Sequence, residues 1–166
     1  MKKVSLLIAF VSFWFVAFSQ DIKGDYAIKN VQTGMLLRVK DAGSKNGTPL
    51  VAYYPENWKC MTWNFKKTDE NTYQLQNLLT HKTFQPVALA SADVAFDEQP
   101  LISGDTKQQY EFITVKKDTY LIKLKGTDLY VTPADNKGTV NSAIILAAKR
   151  NTTEQLWNIY PQAPTM

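Results

Sequence analysis

The sequence predicts an all-β chain made of one unit used three times. Three observations predict it. Tyr26, Tyr73 and Tyr120 stand 47 residues apart, and so do Trp63, Tyr110 and Trp157. Within each copy the step from the first aromatic to the second is 37 residues. Short runs of β-branched and aromatic residues alternate with turn signals, and no long segment carries helical periodicity. Such a period marks one supersecondary unit that cannot bury its apolar face alone.

The first 19 residues fall outside that unit. Lys2 and Lys3 precede an apolar run from Val4 to Phe18, and Ala17 and Ser19 are placed for a cut before Gln20. This is the pattern of a secretory signal peptide. The run is short for a membrane span, and an uncleaved anchor is the alternative. No Cys follows it, which argues against a lipid-modified N-terminus. The expectation is a secreted or periplasmic protein, cleaved after Ser19, with no stable membrane insertion afterwards.

Copy one (about 22–68) opens on Gly24-Asp25-Tyr26-Ala27-Ile28-Lys29-Asn30, turns at Thr33-Gly34, and continues through Met35–Val39 and Leu50–Tyr54. It closes on Trp63-Asn64-Phe65. Copy two (about 69–115) opens on Tyr73–Asn77 and closes on Tyr110-Glu111-Phe112. Between them Leu101-Ile102 reads as a short strand, and Val87–Phe96 reads as a helical turn or a variant hairpin. Copy three (about 116–160) runs through Thr119–Leu124, Leu129–Val131 and Ala143–Leu146 to Trp157-Asn158-Ile159. Tyr-x-Ile and Trp-x-Phe are period-2 patterns, which put two large residues on one strand face. Pro161 to Met166 carries no packing pattern and reads as a flexible tail.

Each copy therefore holds about four strands, giving about twelve in all. Propeller blades are of similar size, but closing a propeller takes at least four of them. Three copies close most naturally on a pseudo-threefold axis, as a small barrel capped by hairpins, and closure removes sheet edges. This is a β-trefoil over residues 20–160. Its repeat core is expected to be Tyr26, Trp63, Tyr73, Tyr110, Tyr120 and Trp157.

Charge and reactive residues exclude more than they assign. The formal net charge is +4, of which Lys2 and Lys3 supply two, so a nucleic-acid or membrane partner has little support. The single cysteine, Cys60, leaves stability to packing and reads as a small half-buried side chain. The single histidine, His81, falls at a hairpin turn, and a Cys60–His81 pair lacks an orienting third group. His and Cys spacing for a metal is absent, and Asp69-Glu70 and Asp97-Glu98 are adjacent acids rather than a separated glycosidase pair. The expectation is no enzyme, no metal and no cofactor. Asn46-Gly47-Thr48 and Asn151-Thr152-Thr153 are glycosylation sequons, meaningful only in a host with that machinery.

The closing Gln155-Leu156-Trp157-Asn158-Ile159 resembles the Gln-x-Trp repeat of ricin-type lectins. Copy two keeps it as Gln108-Gln109-Tyr110, and copy one has Met61-Thr62-Trp63. Gly24 through Val39 resembles the family's opening Gly-x-Tyr-x-Ile-x-Asn-x-x-Thr-Gly, and Gly47-Thr48-Pro49-Leu50-Val51 its later strand. The resemblance covers all three copies and implies the trefoil fold and carbohydrate binding. In sugar-binding members a lobe pocket takes an Asp after the Leu of the second strand, an aromatic platform on the next hairpin, and an amide near the repeat's end. The Asp position is Arg38, Gln85 and Thr132 in the three copies. The aromatic position is Tyr53 in copy one and Ala147 in copy three, while copy two offers Ser103-Gly104. The residues before the closing aromatic are Cys60-Met61, Lys107-Gln108 and Glu154-Gln155. The closing Gln also suits a structural role.

Copy one is the best remaining candidate, with Arg38, Asn46, Tyr53 and Trp58 as ligand-binding residues, Tyr54 nearby, and Lys40, Lys45 and Lys59 as a basic rim. Arg is donor-only where Asp is acceptor-only, so the exchange disfavours a neutral galactoside and suits a uronate or sulfate. The alternative for these residues is that Arg38 pairs with Asp41 or water and Tyr53 packs on its own hairpin. At the level of function, the alternative is a trefoil whose sugar sites have degenerated and whose loops bind a protein partner, as an inhibitor or adhesion protein.

Overall fold

The computed structural model describes residues 21–165; the signal-peptide reading of residues 1–19 lies outside them. Every copy supplies four strands. Copy one gives β1 (Gly24–Asn30), β2 (Leu36–Val39), β3 (Leu50–Tyr53) and β4 (Thr62–Asp69). Copy two gives β5 (Thr72–Asn77), β6 (Thr83–Pro86), β7 (Phe96–Gln99) and β8 (Tyr110–Lys116). Copy three gives β9 (Thr119–Leu124), β10 (Leu129–Pro133), β11 (Ile144–Ala148) and β12 (Leu156–Pro161). One 3-10 turn precedes each closing strand, at Lys59–Met61, Thr106–Gln108 and Thr153–Gln155.

The first and last strands of a copy pair with each other, and the last strand of each copy pairs with the first of the next. Six strands close into a barrel this way. The middle strands form three hairpins, and single bridges at Pro49–Asp97, Val51–Ala143 and Ala95–Ile145 join them into a cap. The 37-residue step has a geometric meaning: Tyr26 stands opposite Trp63, Tyr73 opposite Tyr110, and Tyr120 opposite Trp157. Opposed aromatics on a core face are among the more favourable cross-strand pairs.

These residues fill the barrel, with Tyr26 half-buried at its edge against Phe65. Their polar tips reach the cap. Trp63 Nε1 donates to the Leu37 carbonyl at 3.2 Å, Tyr110 Oη to that of Phe84 at 2.8 Å, and Trp157 Nε1 to that of Val131 at 2.9 Å. Each spans the same 26 residues. Asn30 and Asn77 repeat in a second way. Each accepts bonds from the turn that follows it and donates to the 3-10 turn and strand of a neighbouring copy's closure.

Three expectations change. Of the two readings of Val87–Phe96 the variant hairpin holds and the helical turn does not: residues 87–95 connect β6 to β7, because so short an apolar run has no face to bury and too few residues to nucleate. Leu101-Ile102 is not a strand; the hairpin partner is Phe96–Gln99, which places Phe96 and the charged Glu98 in the interior. Cys60 is fully buried rather than half-buried, packed with Ala27, Leu36 and Met61. The tail is also tied at its start. The Gln162 backbone N–H donates to the Asp25 carbonyl at 3.0 Å, its side chain donates to the Glu56 carbonyl at 2.7 Å, and it accepts from Thr62 Oγ1 at 2.9 Å.

Candidate functional site

β2 and β3 pair with Arg38 opposite Val51 and Leu36 opposite Tyr53. Arg38 and Tyr53 are thus diagonal neighbours on one face, close enough for long side chains to meet. They do meet: Arg38 Cζ lies 4.0 Å from the Tyr53 ring centroid and 5.7 Å from that of Trp58. Tyr53 packs further on Tyr54 and Trp58, with centroids 5.8 and 6.1 Å away. The structure therefore brings Arg38, Tyr53 and Trp58 together. It also covers one face of Tyr53 with a guanidinium, so that face is not free to receive a sugar.

An open pocket of about 390 Å³ lies beside this stack, lined by Arg38, Ala42, Trp58, Cys60 and Leu79. Two of its walls were not visible in the sequence. Leu79 belongs to the next copy, and reaches the pocket because β5 pairs with β4 and its following turn lies beside the closure of copy one. Ala42 sits in a turn where it and Asp41 both take positive φ, 54° and 52°. Two consecutive non-glycine residues in that region hold strain beside the pocket. Asn46 does not line the pocket. Its exposed turn is bonded toward copy two, where Gly47 donates to the Glu98 carbonyl and the Glu98 N–H to that of Thr48, both at 2.8 Å. Lys40, Lys45 and Lys59 are also absent from its lining.

Arg38 is the unusual group. Its side chain is 8 % exposed, and its Nε is buried with no hydrogen-bond partner among the described residues. The nearest acid is Asp41, 4.0 Å from Nη1 and itself 72 % exposed, which is too far for a hydrogen bond. Stacking on aromatic faces offsets part of the desolvation of a guanidinium, but it fills none of its five N–H donors.

The other copies show what normally stands there. In copy two, Gln108 Nε2 donates to Gln85 Oε1 and to the Pro100 carbonyl, both at 2.9 Å, and Gln108 Oε1 accepts from the Ile102 N–H at 2.8 Å. In copy three, Gln155 Nε2 donates to Thr132 Oγ1 at 3.1 Å and to the Ala148 carbonyl at 3.0 Å. The closing Gln is thus structural, and it consumes the side chain at the position of Arg38. Copy one has Met61 instead, fully buried and with no amide to offer.

The positions equivalent to Cys60 also diverge. Glu154 of copy three accepts from Asn136 at 2.9 Å and pairs with Arg150 at 3.2 Å; these bonds hold its carboxyl below the ordinary range. Lys107 of copy two lines a second pocket of about 390 Å³ with Leu89 and Lys125. His81 is exposed in its turn at φ 59°. No group of three or more metal-ligating side chains assembles among the described residues.

A family model described as a ricin-type β-trefoil lectin domain-like unit matches residues 13–93. In fold the chain is similar to the designed threefold-symmetric protein ThreeFoil, with a TM-score of 0.78, 15 % identity, 84 % of this chain and 99 % of that one covered. It is similar to the agglutinin of Rhizoctonia solani at 0.77 and 18 % identity, over 88 % of this chain and all (100 %) of that one. It is also similar to the ricin B-like lectin of Macrolepiota procera, solved in complex with lactose, at 0.70 and 14 % identity over 85 % and 98 % of the two chains. No curated protein matches the chain. The chain resembles ricin-type lectins in sequence over its first half and in fold over all three copies.

Proposed function

We propose that this protein is an exported, non-catalytic carbohydrate-binding module whose site is the pocket of copy one, and that its ligand carries an acidic group such as a uronate or sulfate. One observation carries the reading: Arg38 is buried, without a hydrogen-bond partner at Nε, at the wall of an open pocket. A buried polar group left unpaired is costly, and a carboxylate or sulfate is the acceptor a guanidinium fits best. Trp58, half-buried on the same wall, replaces Tyr53 as the surface for the sugar's apolar face. Copies two and three give no equivalent, because their corresponding polar groups are satisfied internally. A single open site of this kind binds weakly, near millimolar, or about −4 kcal/mol.

The test is a glycan array probed with the exported chain and with its Arg38→Ala and Trp58→Ala variants. Binding confined to acidic glycans and lost in both variants supports the reading. Binding of neutral glycans that survives Arg38→Ala overturns the acidic preference, and no binding by any chain overturns the lectin function. A second reading, a protein-binding trefoil, is favoured by Val87, Leu89 and Ile102, three exposed apolar side chains on the loops of copy two. A captured protein that free sugar does not displace would support it.

A further inference from the structure

We infer that Met61 is the specificity-determining residue of the copy-one site: by failing to bond Arg38, it leaves the guanidinium for an anionic ligand. The inference rests on the acidic-sugar reading for its ligand, and on the internal threefold for its cause.

The three copies form a natural mutant series. Where the closing residue is Gln, at 108 and 155, its amide holds the side chain of Gln85 or Thr132 and a hairpin carbonyl. Where it is Met61, the residue at the equivalent place is Arg38, and its Nε is orphaned. A second change accompanies the first. Ile102, eight residues before Tyr110, supplies the N–H that Gln108 Oε1 accepts. Pro55, eight residues before Trp63, has no N–H to offer. In copy three Gln155 Oε1 takes the Arg150 N–H, one place later in the repeat, so copy one has lost only the donor that copy two uses; the apolar Met61, of similar length, fills the place of the Gln.

The chemistry follows from what each residue can accept. Gln108 and Gln155 turn their amide nitrogen to the place that Arg38 takes in copy one, where their partner accepts. Facing the donor Arg38, a Gln at position 61 would turn its amide oxygen there instead, accept from Nε and fix the guanidinium within the lobe. A thioether accepts weakly, so Met61 leaves those donors unused. Met61 touches no ligand in this scheme; it is a positioning residue, and it acts through Arg38.

The test compares the wild-type chain with Met61→Gln and Met61→Leu by NMR titration with D-glucuronate, D-glucose and inorganic sulfate. It also follows solvent exchange of the Arg38 Nε–H in the absence of ligand. The expected result is glucuronate binding by wild type and Met61→Leu alike. Met61→Gln, with an unchanged or higher Tm, should bind about tenfold more weakly. The Arg38 Nε–H should exchange faster in wild type and Met61→Leu than in Met61→Gln. Undiminished binding in a folded Met61→Gln protein overturns the inference, and so does an Nε–H equally protected in all three chains. If wild type binds none of the probes, the acidic-sugar function fails, and the exchange arm alone decides the role of Met61. Met61→Leu guards against a folding failure, since it changes the core without supplying an acceptor.

Discussion

At the residue scale, the departures from the repeat were legible and their consequences were not. Arg38, Met61 and Pro55 stand out in the sequence because the same places elsewhere hold Gln85, Gln108 and Ile102. That Arg38 stacks on Tyr53, and so removes one face of the expected platform, depends on a diagonal contact that a single strand's sequence does not contain. The burial of Glu98 was hidden for a related reason. A charged residue argues against a core-facing strand, yet Glu98 is wholly buried, with Thr80 Oγ1 bonded to one oxygen and no partner on Oε2. Burial raises its carboxyl above the ordinary value of 4.5, and the Thr80 bond and Lys82 pull it partly back. Above pH 4.5 and up to the raised folded value, the native state holds more protons than the unfolded one. Stability therefore falls as pH rises through that window. Glu98→Gln should abolish this fall. Urea midpoints measured from mildly acidic to neutral pH should decline for wild type and decline less for the variant. Parallel curves would show that Glu98 stays ionised throughout.

At the scale of elements, the period carried nearly everything. The Tyr and Trp spacing identified the first and last strands of each copy, and their opposition across the ladder explains why the spacing recurs. The hairpin of copy two was hidden because its connector, residues 87–95, is Ala-rich and its inner strand carries Glu98. The closing aromatics do more than fill the barrel. Trp157 Nε1 bonds the Val131 carbonyl of β10, so one side chain fixes how the hairpin sits on the barrel. Trp157→Phe keeps a ring in the core but leaves that buried carbonyl unpaired, which should cost about 1–3 kcal/mol. The urea midpoint should fall with an unchanged slope, since fold and buried area are kept. A midpoint equal to wild type would mean that the bond adds nothing and packing alone seats the hairpin.

At the scale of the whole molecule, the copies are repeats in sequence but not independent units in stability. Each closing strand completes its own copy and also pairs with the opening strand of the next, through β4 with β5, β8 with β9 and β12 with β1. Removing any copy would expose two barrel edges. With Cys60 the only cysteine in the sequence, no internal disulfide can hold a partly open barrel together. The period already implies that no copy buries its apolar face alone, and the ladder shows how the three are tied into one. Unfolding should accordingly be a single cooperative transition. Trp63 in copy one and Trp157 in copy three are buried reporters at opposite ends of the chain. In the exported chain with Trp58→Phe as background, Trp157→Phe leaves the first as the reporter, and Trp63→Phe leaves the second. In each variant the fluorescence and far-UV circular dichroism midpoints should coincide. Were Trp63 to respond at lower denaturant than the dichroism of the same variant, copy one would open alone. The strain at Asp41 and Ala42 and the orphaned Arg38 would then mark a locally unstable lobe rather than a site held ready by the rest of the barrel.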